Sequence, residues 1–574
     1  MTGNAPGAPG ASGRTSFSSA CRAAAFFLLL LTVASCATEE RESRPPPSGR
    51  VFGTVRITRK DVYDLEEHPG FFYKLINALN VTVREHVIRH EVEAVLLPGD
   101  SFDPELLAEV ERNLRALPFV AHASALPVYR DDRRVDVDVE TQDRFTLAFG
   151  AAAGIFGGSG KFRASLAEED FFGYGKRVKV TYKTDPDKDT LETKFTDPHF
   201  LGTHHVLDLK LSETTDGHDH YLNIEQPFKT LASSWSYGMS LGTSERLARF
   251  FEEGDEVASV PIKREEAGLF FLYSSGPREN LLRPGMRLSF RRDVYDEDEA
   301  EGEGVDQVRI PEDTRVLTAG PMLRWDRIPR YEERHRLDAF DSVEDVPIGL
   351  TIDAFVGLQH RRPEQSEASS SLAVSTSGRF ATDWNADHLT TLGGSLEFRE
   401  DGDPLGWRAS SFWHHYFTGF SYQTWVMSMT LDGQWEREDL NTEITLGEDS
   451  GLRGYPIRQF SGHKRLRFNL EDRLFTDLEV LSVALGGVVF FDAGMVWDRG
   501  EAMRLSDLAR SVGFGFRFGS PALLGKQVVR VDIGFPLDDV EGESFGVSIS
   551  ATIGQVVSLF SNEEFLENNV GFSF

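Results

Sequence analysis

Two segments near the C-terminus alternate between apolar and polar residues with a period of two, the pattern of a strand with one apolar face. In residues 465–474 the apolar positions are Leu466, Phe468, Leu470 and Leu474, and the polar positions are Arg465, Arg467, Asn469, Glu471 and Arg473. In residues 481–493 one track is apolar or glycine, and the other ends at Asp492. The pattern recurs at 178–182, 207–211, 514–518 and 545–553. Many such strands in a chain of 574 residues are typical of a transmembrane β-barrel, whose outer face meets lipid.

A glycine-rich loop and two of these strands carry the residues of one candidate site. The loop is Gly451-Leu452-Arg453-Gly454-Tyr455, and the strands contain Asn469-Leu470-Glu471 and Phe490-Phe491-Asp492-Ala493-Gly494. Glu471 and Asp492 both lie on polar tracks, so we expect them to face the lumen. Because a partly desolvated guanidinium needs a carboxylate partner, we expect Arg453 to meet them there.

These motifs resemble the C-terminal barrel signature of the BamA/TamA superfamily, the outer-membrane insertases and translocases. In that family a Val/Ile-Arg-Gly-Phe/Tyr loop folds back into the barrel and its arginine is held by acidic side chains of neighbouring strands. The resemblance implies this role for the loop residues Arg453, Gly454 and Tyr455, with Glu471 and Asp492 as partners. Leu452 stands where the family has Val or Ile. The resemblance also implies sixteen strands.

The start of the chain has the features of a secretory signal. Residues 23–34 form an apolar run that follows two arginines and is too short to span a bilayer as a helix. The run closes on Val33-Ala34-Ser35-Cys36, which resembles a lipobox in which Cys36 would be acylated. An ordinary cleavage site of small residues is the alternative. Cys21 also lies in this predicted signal, residues 1–36, so we expect no internal disulfide and no thiolate metal site.

A short tether, residues 37–49, precedes a predicted α/β unit at 50–143, in the order β-α-α-β-β. Thr82-Val83-Arg84-Glu85 predicts a capping box opening the first helix, and Asp103 predicts the start of the second. The closing strand alternates Val135, Val137 and Val139. The order resembles a POTRA domain, the periplasmic module that precedes these barrels. That resemblance implies a sheet edge open to an extended client segment; the alternative is a domain that only spaces or plugs the barrel.

The formal charge of −30 argues against a nucleic-acid partner. Two acidic runs, 252–256 and 296–303, predict solvent-exposed hairpin loops, with a divalent-ion or lipopolysaccharide role as the alternative.

Enzyme motifs are weak. Gly157-Gly158-Ser159-Gly160-Lys161 lacks the first glycine of a phosphate loop, and Phe162 stands where a magnesium ligand belongs. His204-His205 and His218-Asp219-His220 lack a matched carboxylate frame and favour turn or lumen histidines. We therefore predict no enzyme activity, no cofactor and no metal site.

The sequence thus predicts a mainly β protein, a transmembrane antiparallel barrel of sixteen strands at 144–574 in the bacterial outer membrane. One small POTRA-like domain at 50–143 would lie in the periplasm. By resemblance, the protein acts in insertion, assembly or translocation of proteins at that membrane. Its expected partners are outer-membrane lipid and lipopolysaccharide, unfolded barrel or secreted client proteins, and periplasmic accessory proteins.

Several alternatives stay open at this point. The chain could be a secretion pore dedicated to one partner, a passive porin or structural barrel, or a lipid transporter. The first strand is predicted near Phe145, Leu147 and Phe149, and the last clear strand at 545–553. Residues 555–574 beyond it are either the true sixteenth strand or an appendage that ends in an aromatic residue. In the family, the seam between first and last strand is the proposed lateral gate.

Overall fold

The computed structural model describes residues 49–559, except 131–132, 157–158, 185–187, 253–254, 297, 303–309, 311, 400–405, 436–443 and 539–547. The chain divides into two units at Gly49, and the described residues belong to the second, Gly49–Phe574. The predicted signal, the lipobox at Cys36 and most of the tether fall in the first unit, outside the described residues. Gly157 and Gly158 of the weak phosphate-loop motif also lie outside them.

The N-terminal α/β region contains a three-stranded sheet and three helices. Its elements are β1 (Val51–Lys60), α1 (Phe71–Leu79), α2 (Glu85–Glu93), α3 (Pro104–Ala116), β2 (Val120–Tyr129) and β3 (Arg134–Asp143). The sheet order is β1-β3-β2, with β1 parallel and β2 antiparallel to β3. Val135, Val137 and Val139 are buried on the central strand and pack in one core with residues of α2 and α3. The predicted alternation of β3 therefore builds this core.

Helix starts in this region were predicted with mixed success. Asp103 caps α3 as expected, accepting a hydrogen bond from the Glu105 N–H at 2.9 Å, and Pro104 occupies the first turn. The capping-box prediction was wrong, because α2 begins after Arg84 without a side-chain cap. The Thr82 hydroxyl instead donates to Asp61 at 2.8 Å. Helix α1 was missed: it is only nine residues long, and large apolar residues lie on its exposed face as well as on its buried face.

All barrel strands are antiparallel to their neighbours. They are β4 (Leu147–Phe156), β5 (Ser159–Glu168), β6 (Arg177–Thr184), β7 (Asp189–Asp197), β8 (Val206–Thr214), β9 (Gly217–Gln226), β10 (Trp235–Glu252), β11 (Asp255–Tyr273), β12 (Asn280–Tyr295), β13 (Thr314–Arg334), β14 (Glu344–Pro363), β15 (Ser369–Asn385), β16 (His388–Arg399), β17 (Gly406–Phe420), β18 (Gln423–Trp435), β21 (Lys464–Val480), β22 (Val483–Trp497), β23 (Ala509–Gly519), β24 (Val528–Pro536) and β25 (Ser548–Ile553). Between β18 and β21, β19 (Ile444–Leu446) and β20 (Phe460–Gly462) form a separate two-stranded sheet. The barrel is closed by pairing of β25 with β4.

The barrel has twenty strands in the described residues, so the prediction of sixteen was wrong. The chain uses less of its length for loops than expected. The acidic run 252–256 shows this, because Glu252 and Asp255 are paired ends of β10 and β11 rather than members of an open loop. In the second acidic run, Asp298, Glu299 and Glu301 are exposed as predicted.

The two faces of the strands differ as the alternation predicts. Outward residues are large, apolar and exposed, for example Tyr237, Met239, Leu269, Phe271 and Leu288. Among the inward residues, Asn469, Glu471 and Arg473 of β21 and Asp492 of β22 are charged or amide side chains that are fully buried. This is the surface of an outer-membrane barrel, apolar outside and polar inside. Among the described helices, none has the length and apolar character needed to cross a bilayer.

The N-terminal region lies at one end of the barrel, here called the domain end. The Arg144 N–H donates to Phe119 O at 2.9 Å where β4 begins, and Arg115 of α3 forms ion pairs with Asp345 and Glu333 on the far side of the mouth. The opposite end, which carries the β18–β21 connection, is called the loop end. The α/β region therefore spans the mouth and is fixed to it by charge.

Two further segments fold into the lumen from the domain end. They are the β13–β14 turn, residues 335–343, and residues 554–559 after β25; together we call them the inner plug. Val557 and Leu559 are buried against Leu337 of the turn and Tyr416 of β17. The described part of the C-terminal tail is thus an appendage inside the barrel and not a further strand. Residues 560–574 lie outside the described residues.

Candidate functional site

The candidate site is built by the β18–β21 connection, which bends from the loop end into the lumen. A short 3-10 helix, Glu448–Ser450, is followed by Gly451 with φ of 91° and Gly454 with φ of 95°. These left-handed positions suit glycine and turn the chain back on itself. Leu452 and Tyr455 are buried with Leu446 and Ala509. The two apolar residues therefore anchor the loop on both sides of Arg453.

Arg453 lies at the centre of the buried charges and is 1% exposed. Its Nε lies 2.7 Å from Asp492 Oδ2 and its Nη2 lies 2.9 Å from Asp492 Oδ1, a bidentate pair. Its Nη1 lies 2.8 Å from Glu471 Oε1 and 3.4 Å from Asp532 Oδ2. The guanidinium also lies 3.5 Å from the centre of the Phe490 ring. The structure therefore places Arg453 against both of the expected carboxylates and against a third.

Gly454 brings the loop into direct contact with the last two strands. Its N–H donates to Ser548 Oγ of β25 at 2.9 Å. A Cβ on Gly534 of β24 would lie only 2.6 Å from the Gly454 nitrogen, so a side chain there would clash with the loop. The absence of a side chain at Gly534 thus permits the Gly454 backbone to pack beside the closing strand.

Tyr455 and Asn469 complete the fixation of the loop. The Tyr455 hydroxyl donates to Arg510 O at 3.0 Å on β23. The Asn469 side-chain amide donates to Gly451 O and to Asp492 Oδ1, both at 2.7 Å. Tyr455 and Asn469 therefore bind the loop to β23 and to β21, beside its ion pair with Asp492 of β22.

Sequence reasoning did not assign Asp532, Phe490 or Asp338 to the site. Asp532 of β24 lies on an alternating strand and also binds Arg517 and Arg530, so the alternation could have found it. Phe490 lies within the Phe-Phe-Asp-Ala-Gly motif, but its ring was not predicted to contact the guanidinium. Asp338 lies in the β13–β14 turn, whose inward fold has no signal in the sequence.

A chain of ion pairs joins the loop to the inner plug. Glu471 holds Arg453 with one oxygen and Arg473 with the other, each at 2.8 Å. Arg473 in turn lies 2.9 Å from Asp338 and donates to Val557 O at 2.5 Å. Asp338 also accepts hydrogen bonds from the Ser558 hydroxyl and the Leu559 N–H, at 2.7 and 2.6 Å. One buried network therefore connects the segments that enter the lumen from opposite ends.

The predicted histidine pairs lie at turns and on β9. His204 is in the β7–β8 turn, with its ring centre 4.1 Å from that of His90 of α2, while His218 and His220 of β9 stack at 4.8 Å. Within the part of the chain that the structure describes, no group of three or more His, Cys, Asp or Glu residues is arranged to hold a metal ion.

The contact of α2 with the β7–β8 turn should be sensitive to acid. Burial, with the nearby His199 and His204, lowers the pKa of His90 from 6.5 to about 4. Burial acts to raise the pKa of Glu91, but the His199 hydrogen bond and the Lys229 charge outweigh it and lower that pKa to about 2. His90 is therefore neutral when folded but takes up a proton below pH 6.5 when released, so stability falls as pH drops from 6.5 towards 4. Glu91 adds a further loss between pH 4.5 and 2.

Hydrogen exchange of α2 and the β7–β8 turn, corrected for intrinsic rates, should therefore show faster opening at pH 4.5 than at pH 7. The His90→Gln variant, which cannot be protonated there, should lose most of this difference. Equal protection of the wild-type contact at the two pH values would contradict the assignment.

No family model and no curated protein matches the chain. Among solved structures, it is similar to BamA from Haemophilus ducreyi lacking POTRA domains 1–3, with 12% identity, 87% of this chain and 84% of that chain covered, and a TM-score of 0.39. It is also similar to CdiB from Acinetobacter baumannii, with 10% identity, 94% of this chain and 97% of that chain covered, and a TM-score of 0.41. The alcaligin outer-membrane receptor FauA from Bordetella pertussis is 9% identical, with 73% of this chain and 78% of that chain covered and a TM-score of 0.37. At these identities and TM-scores the neighbours do not select one function.

Proposed function

We propose that the protein is an outer-membrane barrel that acts in insertion, assembly or translocation of proteins at the bacterial outer membrane. The observation that carries this proposal is the docking of the Arg453 loop beside the barrel's closing seam. Gly454 binds Ser548, the first residue of β25, and β25 is the strand that pairs with β4. A loop locked by buried charges next to a seam can control whether that seam stays closed.

The seam itself is short. In the described residues β25 pairs with β4 through three residue pairs, whereas β4 pairs with β5 through ten. The β4 residues of the three pairs are Ala153, Gly154 and Ile155. A ladder with few hydrogen bonds opens at lower cost than its neighbours.

The N-terminal α/β region is proposed to be a POTRA-like domain in the periplasm. Its strand β2 has β3 on one side and no second partner in the described sheet. That edge offers unpaired backbone groups to an extended client. The protein would work without nucleotide or redox cofactor, with free energy supplied by client folding and by burial of apolar strands in lipid.

A disulfide across the seam tests this proposal. Ala153 of β4 and Ala551 of β25 are direct neighbours in the ladder, at a spacing that suits a disulfide. In a background with Cys21 and Cys36 replaced by serine, the Ala153→Cys/Ala551→Cys pair should abolish insertion of client barrels when oxidised. Reduction should restore it.

The matched control is a disulfide between Ala354 and Thr376, direct neighbours on β14 and β15 away from the seam. It should leave activity unchanged. If the oxidised seam variant retained full activity on membrane-inserted clients, seam opening would be excluded. Secretion of a single partner that survives the oxidised seam would favour a dedicated pore acting through the lumen.

A further inference from the structure

Helix α1 presents large apolar side chains to solvent along one stripe. Phe71 is 81% exposed and Leu79 is 61% exposed, with exposed Leu75 between them at a spacing of four residues. The opposite face is buried, because Phe72, Tyr73 and Ile76 pack with Phe145 and with the β23–β24 turn of the barrel. The helix is therefore fixed against the rim of the barrel wall, with an apolar stripe directed away from it.

Two turns of the domain end present apolar side chains in the same way. The β5–β6 and β7–β8 turns each contain a 3-10 segment, Phe171–Gly173 and Phe200–Gly202. In both, the middle residue has φ of 56° and is strongly exposed: Phe172 at 62% and Leu201 at 82%. A bulky side chain in the left-handed region costs free energy, and its exposure to water would add to that cost. The repeated geometry indicates that an apolar environment receives these side chains.

Contacts connect the β5–β6 turn with the segment between α1 and α2, residues 80–84. The Arg84 N–H donates to Gly173 O at 3.0 Å, and the Arg84 guanidinium lies 3.8 Å from the centre of the Tyr174 ring. A Cβ on Gly173 would lie 3.5 Å from Val81, which is itself exposed. We call this surface the apolar rim. It consists of the exposed stripe of α1, Val81, the tip of the β5–β6 turn and Leu201.

The apolar rim continues the lipid-facing surface of the barrel. Phe149, Leu166 and Val180 are exposed, outward-facing neighbours across β4, β5 and β6. Phe171 follows Leu166 by five residues on the same hairpin and is also exposed. On the helix, Lys74 lies on the exposed face, where its ammonium can reach a phosphate while its stem stays apolar.

We propose that the apolar rim inserts into the phospholipid leaflet at the domain end and so holds the N-terminal α/β region against the membrane. The ligand is the boundary between glycerophospholipid headgroups and acyl chains. The rim then fixes the angle at which β2, on the same region, faces a client. The proposal requires the barrel to be in a bilayer, and it does not require the client-handling function above.

Spin labels on the full-length chain, reconstituted in nanodiscs of phosphatidylethanolamine and phosphatidylglycerol, test the proposal. Single cysteines replace Leu75, Phe172 or Leu201 after Cys21 and Cys36 are changed to serine. Each label should collide more with oxygen, which concentrates in lipid, than with a water-soluble nickel chelate. Because all three side chains are exposed, substitution should not disturb folding; heat-modifiable migration checks this.

The matched control is Leu126→Cys, which replaces an exposed apolar residue of β2 that is not part of the apolar rim. Its label should be open to the nickel chelate. Rim labels as accessible to nickel as Leu126 would overturn the proposal. Labels open in nanodiscs but protected in whole cells would also overturn it, in favour of a protein partner. Loss of client handling with intact lipid contact would count against the proposed function and not against the rim.

Discussion

Arg453→Ala should abolish activity while leaving the barrel assembled. The substitution leaves Asp492 buried without its cation and removes one of the two arginines that bind Glu471. Breaking a buried ion pair on one side typically costs about 3–5 kcal/mol. These contacts fix the centre of the loop inside the lumen, whereas the strands are held by their own ladders. We therefore expect residues 446–456 to exchange amide hydrogens rapidly. Client insertion should fall at least about a hundredfold, because every ~1.4 kcal/mol of the pair energy corresponds to a factor of ten. Heat-modifiable migration should be retained.

Two variants control this prediction. Arg453→Lys keeps the charge but not the planar fork that binds Asp492 through two nitrogens, so it should retain intermediate activity. Arg504→Ala removes an exposed arginine of the β22–β23 loop and should behave as wild type. If Arg453→Ala lost assembled barrel and activity in equal measure, the role of Arg453 would be structural only.

Expelling the inner plug should raise ion flow through the barrel several-fold. In the Val557→Glu/Leu559→Glu variant two buried apolar residues become carboxylates, which are costly among Leu337 and Tyr416. The tail segment should then leave the lumen, and Arg473 and Asp338 lose their bonds to it. Single-channel conductance in planar bilayers measures the change.

Ser558→Ala is the matched control for the plug. It removes one hydrogen bond to Asp338, worth about 1 kcal/mol, and leaves the apolar contacts in place. Its conductance should stay close to that of the wild type. Equal conductance in the wild type and the double glutamate variant would show that residues 554–559 do not obstruct the lumen.

The meeting of Arg453 with Glu471 and Asp492 could be predicted from the sequence because two physical rules act together. Alternation places both carboxylates on the inward face, and a buried guanidinium needs them. Asp532 follows from the same alternation on β24. The inner plug could not be predicted, since a turn and a tail that fold into a lumen are fixed by contacts such as Arg473 with Asp338 across 135 positions of sequence.

The strand count and two details of the helices could not be predicted from local sequence patterns. Sixteen strands were expected from the family resemblance. Short hairpin connections, as between Glu252 and Asp255, leave more of the chain for strands, and the barrel has twenty in the described residues. The capping-box pattern at Thr82 was overridden because Asp61, distant in sequence, takes its hydroxyl. Helix α1 was missed because one of its apolar faces packs on the barrel rim and the other is exposed.

Depletion of the protein in cells, followed by quantification of the outer-membrane and secreted proteomes, tests the central claim most directly. The account predicts that other barrels, or a secreted protein, fall when the chain is depleted. Wild-type protein and Arg504→Ala should restore them, and Arg453→Ala should not. A broad fall in barrels would identify an assembly insertase, and loss of one secreted protein a dedicated translocator. Unchanged outer-membrane and secreted proteomes would contradict a role in protein insertion or translocation.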